Sequence, residues 1–228
     1  MYKISMTSRE FGENKIIERL EVCSPAYNTK ISKPENCEVV IVAQEGVRRL
    51  KNIEGNILNP RKKSFFGKNR TDRNDYIVFF MDTAFHDASW GGNVQYVDER
   101  VGGVQEKINI RASFAFRITR GDRLLALLSQ TQNEYSKRYL VDKIRLKIDN
   151  TIKAYVCEVL MSRGFIDTQQ DLLKISESAQ QKLNDDLLSD LGIAMSSLNI
   201  VLEEDSEHAD QRGELEWIAI RKNNDIGE

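Results

Sequence analysis

Few residues in this chain are of a type and spacing that could do chemistry. Its 228 residues include only two histidines, His86 and His208. His86 lies between Asp82 and Asp87, and His208 between Asp205 and Asp210. Each could act as one metal ligand among carboxylates, but stable sites need three or four convergent ligands. Ser89 could be drawn with His86 as nucleophile and base. Nothing nearby reads as the strained turn or oxyanion donors that such a site needs. The three cysteines, Cys23, Cys37 and Cys157, are odd in number and widely spaced, with no Cys-x-x-Cys pair. They read as reduced thiols. Cys157 sits in a helical pattern among Val156, Val159 and Leu160 and is expected to be a small buried apolar residue. The Gly67-Lys68 step in Phe65-Phe66-Gly67-Lys68-Asn69 fails as a phosphate loop. Position 62 is Lys and position 69 is Asn, where a Gly and a Ser or Thr are needed. No Gly-x-Gly-x-x-Gly occurs. We therefore expect no catalytic residues, no metal, no cofactor and no enzyme.

Charge is more informative. Between Val47 and Arg73 stand nine basic residues and only Glu54 and Asp72 as acids, a net of +7. From Asp167 to Glu228 there are fifteen acids and five bases, a net of -10. Such asymmetry suits partners of opposite sign. Arg61, Lys62, Lys63, Lys68, Arg70 and Arg73 surround Phe65-Phe66. A basic loop with aromatic rings suits an anionic membrane surface or single-stranded nucleic acid, whose bases stack on such rings. It also suits a solvated loop with both rings tucked into a core. The isoelectric point near 5.9 places nucleic acid behind membrane.

The elements that must position these residues follow from periodicity. Val39-Val40-Ile41-Val42-Ala43 reads as a strand, as does the apolar run from Asp75 to Thr83. Ile16-Ile17 gives a weaker strand signal, and 53–58 another. Pro25 and Pro34 punctuate a linker or edge. Val104, Ile108, Ile110, Ala112, Phe114, Phe116 and Ile118 share one parity, with Lys107, Asn109, Arg111, Ser113 and Arg117 on the other. That is a long strand with one buried face. Val94, Tyr96 and Val97 precede it across Gly102-Gly103, which predicts a hairpin.

After Gly121 the period changes. Leu124, Leu125, Leu127 and Leu128 suit a short helix. Val141, Ile144, Ile148, Ile152, Tyr155 and Val159 form a helical stripe, and Gly164 stands where a C-cap would. This helix, 135–163, has a second apolar edge: Tyr139, Leu140, Leu146, Val156 and Leu160. That edge is either buried or a subunit interface through residues such as Tyr139, Leu146 and Leu160. Thr168 to Asp171 reads as a capping box. It opens a second helix with Leu172, Ile175, Ala179, Leu183, Leu187 and Leu191. A final strand carries Leu198, Ile200 and Leu202. Strands first and helices second predict an α+β fold: a mixed or antiparallel twisted sheet, two long C-terminal helices and a last strand.

The longest uninterrupted apolar run, Tyr76 to Met81, is far short of the ~20 residues of a membrane span. The first residues carry charges where a signal peptide needs an apolar centre. A cytoplasmic chain is expected, peripheral at the inner face of the cell membrane if the basic loop engages lipid, and the Asn69-Arg70-Thr71 sequon is expected to be silent.

Several short motifs, in order, resemble those of the SPFH or band 7 domain, the family of stomatins, prohibitins and flotillins. Lys33-Pro34-Glu35-Asn36 before the Val39–Ala43 strand is similar to the family's Pro-Glu-Asn entry. Gly46, Asn52-Ile53-Glu54-Gly55 and Pro60 sit where it carries its turns. Trp90-Gly91 resembles the Trp-Gly of the bacterial virion-core-protein-like branch. Leu191-Gly192-Ile193 to Leu198-Asn199-Ile200 is similar to its closing strand. The resemblance implies an SPFH-like domain over 33–203, in two lobes with a boundary near 100–104. A leader, 1–32, with one strand would precede it, and a short acidic tail, 204–228, would follow. It also implies a non-enzymatic scaffold that forms homo-oligomers and organises or recruits partner proteins at the membrane. The chain departs from the family in lacking an N-terminal hairpin or span and a long coiled-coil helix. The rivals from other classes are an intracellular α+β enzyme with an unrecognised site and a nucleic-acid-binding module using the loop 61–73.

Overall fold

The computed structural model describes residues 3–5, 11, 14–26, 29–44, 46–50, 56–57, 75–98, 103–128 and 132–204. The basic loop 61–73, His208 and the tail beyond Glu204 lie outside the described residues. The fold is mixed α+β, with antiparallel sheets, a long helix after the strands and a final strand. Its elements are β1 (Lys3–Ser5), β2 (Lys15–Val22), β3 (Lys30–Ser32), β4 (Cys37–Ala43), β5 (Gly46–Arg49), β6 (Asn56–Ile57), β7 (Tyr76–Asp82), β8 (His86–Asp98) and β9 (Val104–Ile118). Then come α1 (Gly121–Leu124), β10 (Glu134–Ser136), α2 (Lys137–Gln170), α3 (Leu172–Leu183) and β11 (Ile193–Glu204).

The chain divides into two compact units, but not by a cut near 100–104. One unit comprises Met1–His86, Phe116–Lys143 and Leu188–Ala194; the other comprises Asp87–Ala115, Ile144–Leu187 and Met195–Glu228. Residues on both sides of 100–104 belong to the second unit. Each arm of the long hairpin, together with α2 and β11, contributes residues to both units. Composition gave no warning of this, because a continuous strand or helix carries no linker signal at such a boundary.

In the first unit five strands form a sheet in the order β10-β2-β7-β4-β5. All four pairings are antiparallel. A smaller sheet, β1-β3-β6, includes one parallel pair. On one face of the main sheet Cys37, Val39, Ile41, Tyr76, Val78 and Phe80 join Ile31 in a buried cluster. Val40, Phe79 and Met81 point to the other face and are also buried. Covering on both faces is why β4 and β7 read as continuous apolar runs rather than as alternations. Burying each such side chain contributes ~1.5–3 kcal/mol.

β10 was not visible in the sequence. The helix expected from Tyr135 starts instead at Lys137, and Tyr135 is a fully buried strand residue opposite Ile17 of β2. Ser136 is the N-cap of α2, accepting the Tyr139 amide at 3.1 Å.

The second unit contains the three-stranded sheet β11-β9-β8. The even-numbered residues of β9 from Glu106 to Phe114 are buried, as is Trp90 of β8. The indole of Trp90 lies over Gly92: a Cβ there would meet its Cζ2 at 2.6 Å and Lys153 Cε at 2.8 Å. Along α2 the buried stripe of this unit is Ile144, Ile148, Ile152, Val156 and Leu160. Steps of four outrun the 3.6-residue turn by about 40° each, so the stripe winds around the helix. It therefore takes residues from both apolar edges expected for this helix.

α2 is interrupted at Gly164, which takes φ 73° and ψ 179°. Helical hydrogen bonding resumes directly, so the expected capping box is absent. Thr168 is buried, and its hydroxyl donates to the Gly164 carbonyl. Asp171 precedes α3 without a side-chain cap bond.

α3 and the turn after it cover an edge of the sheet. Ser176 Oγ accepts Ile200 N at 3.0 Å, and Gln180 Oε1 accepts Leu198 N at 2.9 Å. Asn184 bonds Met195 twice. From the end of α2, Gln169 Nε2 donates to Leu202 O at 3.0 Å. β11 ends the sheet on this side, and a polar helical stripe occupies backbone groups that another strand would otherwise pair with.

Candidate functional site

The site begins with a buried charge. Glu38, the second residue of β4, is only 7% exposed. Its Oε1 accepts Arg49 Nε from β5, and its Oε2 accepts the Gly121 amide of α1 at 3.0 Å. Glycine suits this approach, because a Cβ would sit 2.5 Å from Met81 Sδ and 3.0 Å from Val40 Cγ2, and those side chains would have to shift. Both carboxylate oxygens thus have donors, as a buried charge requires. Arg49 continues outward, donating to Thr119 O at 3.2 Å and lying 3.5 Å from Asp122 Oδ1. Arg120 grips Asp122 with two bonds, 3.0 and 2.8 Å. The Arg120 guanidinium therefore holds the Asp122 carboxyl below its ordinary range.

Above this network lies a groove of about 690 Å³ within the first unit. One wall is the turn Lys33 to Asn36, tied to the end of β7 by Thr83 N donating to Asn36 O at 3.0 Å. Arg49 and Leu50 form another, and Arg117, Ile118 and Thr119 at the end of β9 a third. Lys33 Nζ donates to the Cys37 carbonyl. The Arg117 guanidinium carbon lies 4.8 Å from the centroid of the Phe85 ring.

Burial pushes the Cys37 thiol up to about 12, so it is a thiol and no nucleophile at neutral pH. Among the described residues no three His, Cys, Asp or Glu side chains are grouped to hold a metal ion. His86 Nε2 stands 3.6 Å from Asp82 Oδ2, with its ring tilted against Phe116. Ser89, three residues along the same strand, is on the opposite face and exposed, so the drawn Ser-His pair is not brought together.

The other sequence-derived candidates fare differently. Arg61, Lys62, Lys63, Phe65, Phe66, Lys68, Arg70 and Arg73 lie outside the described residues. Tyr139 is half-buried in the first unit, its ring against Tyr135 and its hydroxyl donating to Leu127 O at 3.2 Å. Leu160 is 1% exposed, within the core of the second unit. Leu146 is 69% exposed. Cys157 is half-buried rather than fully buried, its Sγ 3.9 Å from Gln95 O. Glu38 was missed. The available signal was an acid abutting a wholly apolar strand, with Arg48-Arg49 a short turn away.

No protein-family model matches the chain, and no curated protein matches it in sequence. Among the described residues no helix is long and apolar enough to cross a membrane.

Proposed function

We propose that this chain is a non-enzymatic scaffold that associates with itself and recruits partner proteins, working peripherally at the cytoplasmic face of a membrane. The observation that carries the reading is outward apolar surface on the helices of the second unit. Leu146, Met161 and Leu173 are 69%, 64% and 74% exposed. Large apolar side chains turned to solvent on a surface are one mark of an interaction site. The ordered SPFH-like motifs favour the same reading, and one of them, Lys33 to Asn36, borders the groove.

The membrane part rests on the basic loop 61–73. Sedimentation with anionic and neutral vesicles tests it. Binding should favour anionic vesicles and weaken as salt rises, because exposed charges are screened over ~10 Å at 0.1 M. Equal sedimentation with both kinds at low salt would remove the membrane from the proposal.

A further inference from the structure

We infer that the groove of the first unit is a docking site for an acidic, extended segment of a partner protein. Its carboxylates would be held between Lys33 and Arg117. Three observations converge.

The first is electrostatic. Of the three cations lining the groove, Arg49 is committed to Glu38 and Asp122. Among the described residues neither Lys33 nor Arg117 is in an ion pair. Lys33 uses one donor on the Cys37 carbonyl, which leaves two. Arg117 lies over Phe85, itself 53% exposed, and a ring contact leaves the guanidinium edge open to a carboxylate. Glu38 presents no free oxygen to the groove, because both are already bonded. Among the described residues that line the groove, Glu35, on the turn, is the one that opposes an incoming anion.

The second is backbone geometry. Arg49 and Leu50 lead into the groove directly from β5, which ends the main sheet on that side. All four residues of β5 are exposed, and Val47 and Arg48 are among them. Among the described residues β5 pairs only with β4. An extended peptide can add to such an edge through main-chain bonds while its side chains reach the groove. The third is the lining itself. Leu50 and Ile118 offer apolar contact beside the hydroxyls of Thr83 and Thr119, which suits a peptide of alternating acidic and apolar residues better than a bare anion.

This inference deepens the scaffold reading, since its occupant is a recruited protein. It is separable from self-association, because it uses none of Leu146, Met161 or Leu173.

The experiment is fluorescence anisotropy on the full chain with a labelled peptide of alternating Glu and Val, and with its Gln/Val counterpart. The Glu peptide should bind and the Gln peptide should not. Lys33→Gln and Arg117→Ala should each weaken binding about tenfold, the loss expected for one charge-assisted hydrogen bond. Glu35→Gln should strengthen it. Lys62→Ala with Lys63→Ala, in the basic loop, should leave it unchanged. Thermal melts of Lys33→Gln and Arg117→Ala should match the parent, because both side chains lie at the surface of the groove. Binding that survives both groove variants, or that is lost with the loop variant instead, overturns the inference. Displacement of the peptide by phosphatidylserine vesicles, dependent on Arg117, would assign the groove to lipid and overturn it equally. Peptide binding by a chain that remains monomeric would leave the groove assignment standing while the self-association proposal fails.

Discussion

The side-chain amide of Asn184 makes two hydrogen bonds to the backbone of Met195: its Nδ2 donates to Met195 O and its Oδ1 accepts from Met195 N, each at 2.8 Å. One asparagine thus takes the place of a strand neighbour at the start of the covered edge of β11. Met195 is buried, so water is not a ready substitute.

Asn184→Leu leaves a buried donor and a buried acceptor without partners. The cost should be about 2–6 kcal/mol, from ~1–3 kcal/mol for each of the two buried groups left unsatisfied. Asn184→Asp retains an acceptor for Met195 N but opposes the Met195 carbonyl, and should fall between the parent and Asn184→Leu. Urea titration measures the ranking. A Leu variant as stable as the parent would mean that the covered edge contributes nothing.

Two glycines with positive φ should respond very differently to the same change. At Gly192, φ 70°, a Cβ would lie 2.0 Å from the Arg120 carbonyl oxygen. That carbonyl belongs to the turn in which Thr119 N and Arg120 N both donate to Gly192 O. At Gly103, φ 78°, a Cβ would meet nothing within 4 Å. Gly103→Ala should cost only the backbone term, about 1–2 kcal/mol. Gly192→Ala must add displacement of the turn, and should exceed it by at least ~2 kcal/mol or prevent folding. Equal melting temperatures for the two would refute the close approach.

The acid limb of stability should carry a share from Asp122. Its carboxyl is held below its ordinary range by Arg120, so the folded state favours the ionised form. That stabilisation is present above the ordinary carboxylate value of ~4. It is lost as pH falls through the lower folded value. Asp122→Asn should flatten stability against pH below about pH 4 and leave the slope near neutrality unchanged. The effect will be small, since the pair is partly exposed to solvent, which screens it. Asp171, depressed by Lys174, acts in the same direction and should persist in the variant. An unchanged acid limb would show that the Arg120–Asp122 pair is not held in solution.

Much of this fold was legible because some elements are long enough to show a period. The parity of β9 read correctly: Ile108, Ile110, Ala112, Phe114, Phe116 and Ile118 are all buried, while Arg111, Ser113 and Arg117 are exposed. β3, β5 and β10 have three or four residues each, too few for alternation to register. β10 exists because Tyr135 finds Ile17, more than a hundred residues earlier, and no local signal reports that pairing. In β11 the buried positions change parity between Met195 and Leu198, across Ser197 at φ 54°. An irregularity of that kind shifts which face a side chain joins, which is why the expected stripe of Leu198, Ile200 and Leu202 holds only after it. The groove was not legible at all. Lys33, Arg49 and Arg117 are far apart in sequence, and only the ends of β4, β5 and β9 bring them together.

Self-association is the central claim, and light scattering on the purified chain over a range of concentrations tests it most directly. The scaffold reading predicts a mass well above the 26.2 kDa of one chain. Leu146→Glu combined with Leu173→Glu should lower that mass without lowering the melting temperature, because both side chains already face solvent in the single chain. A mass that stays at 26.2 kDa at every concentration would contradict the claim. A larger mass that neither substitution changes would contradict the assignment of the interface to these helices.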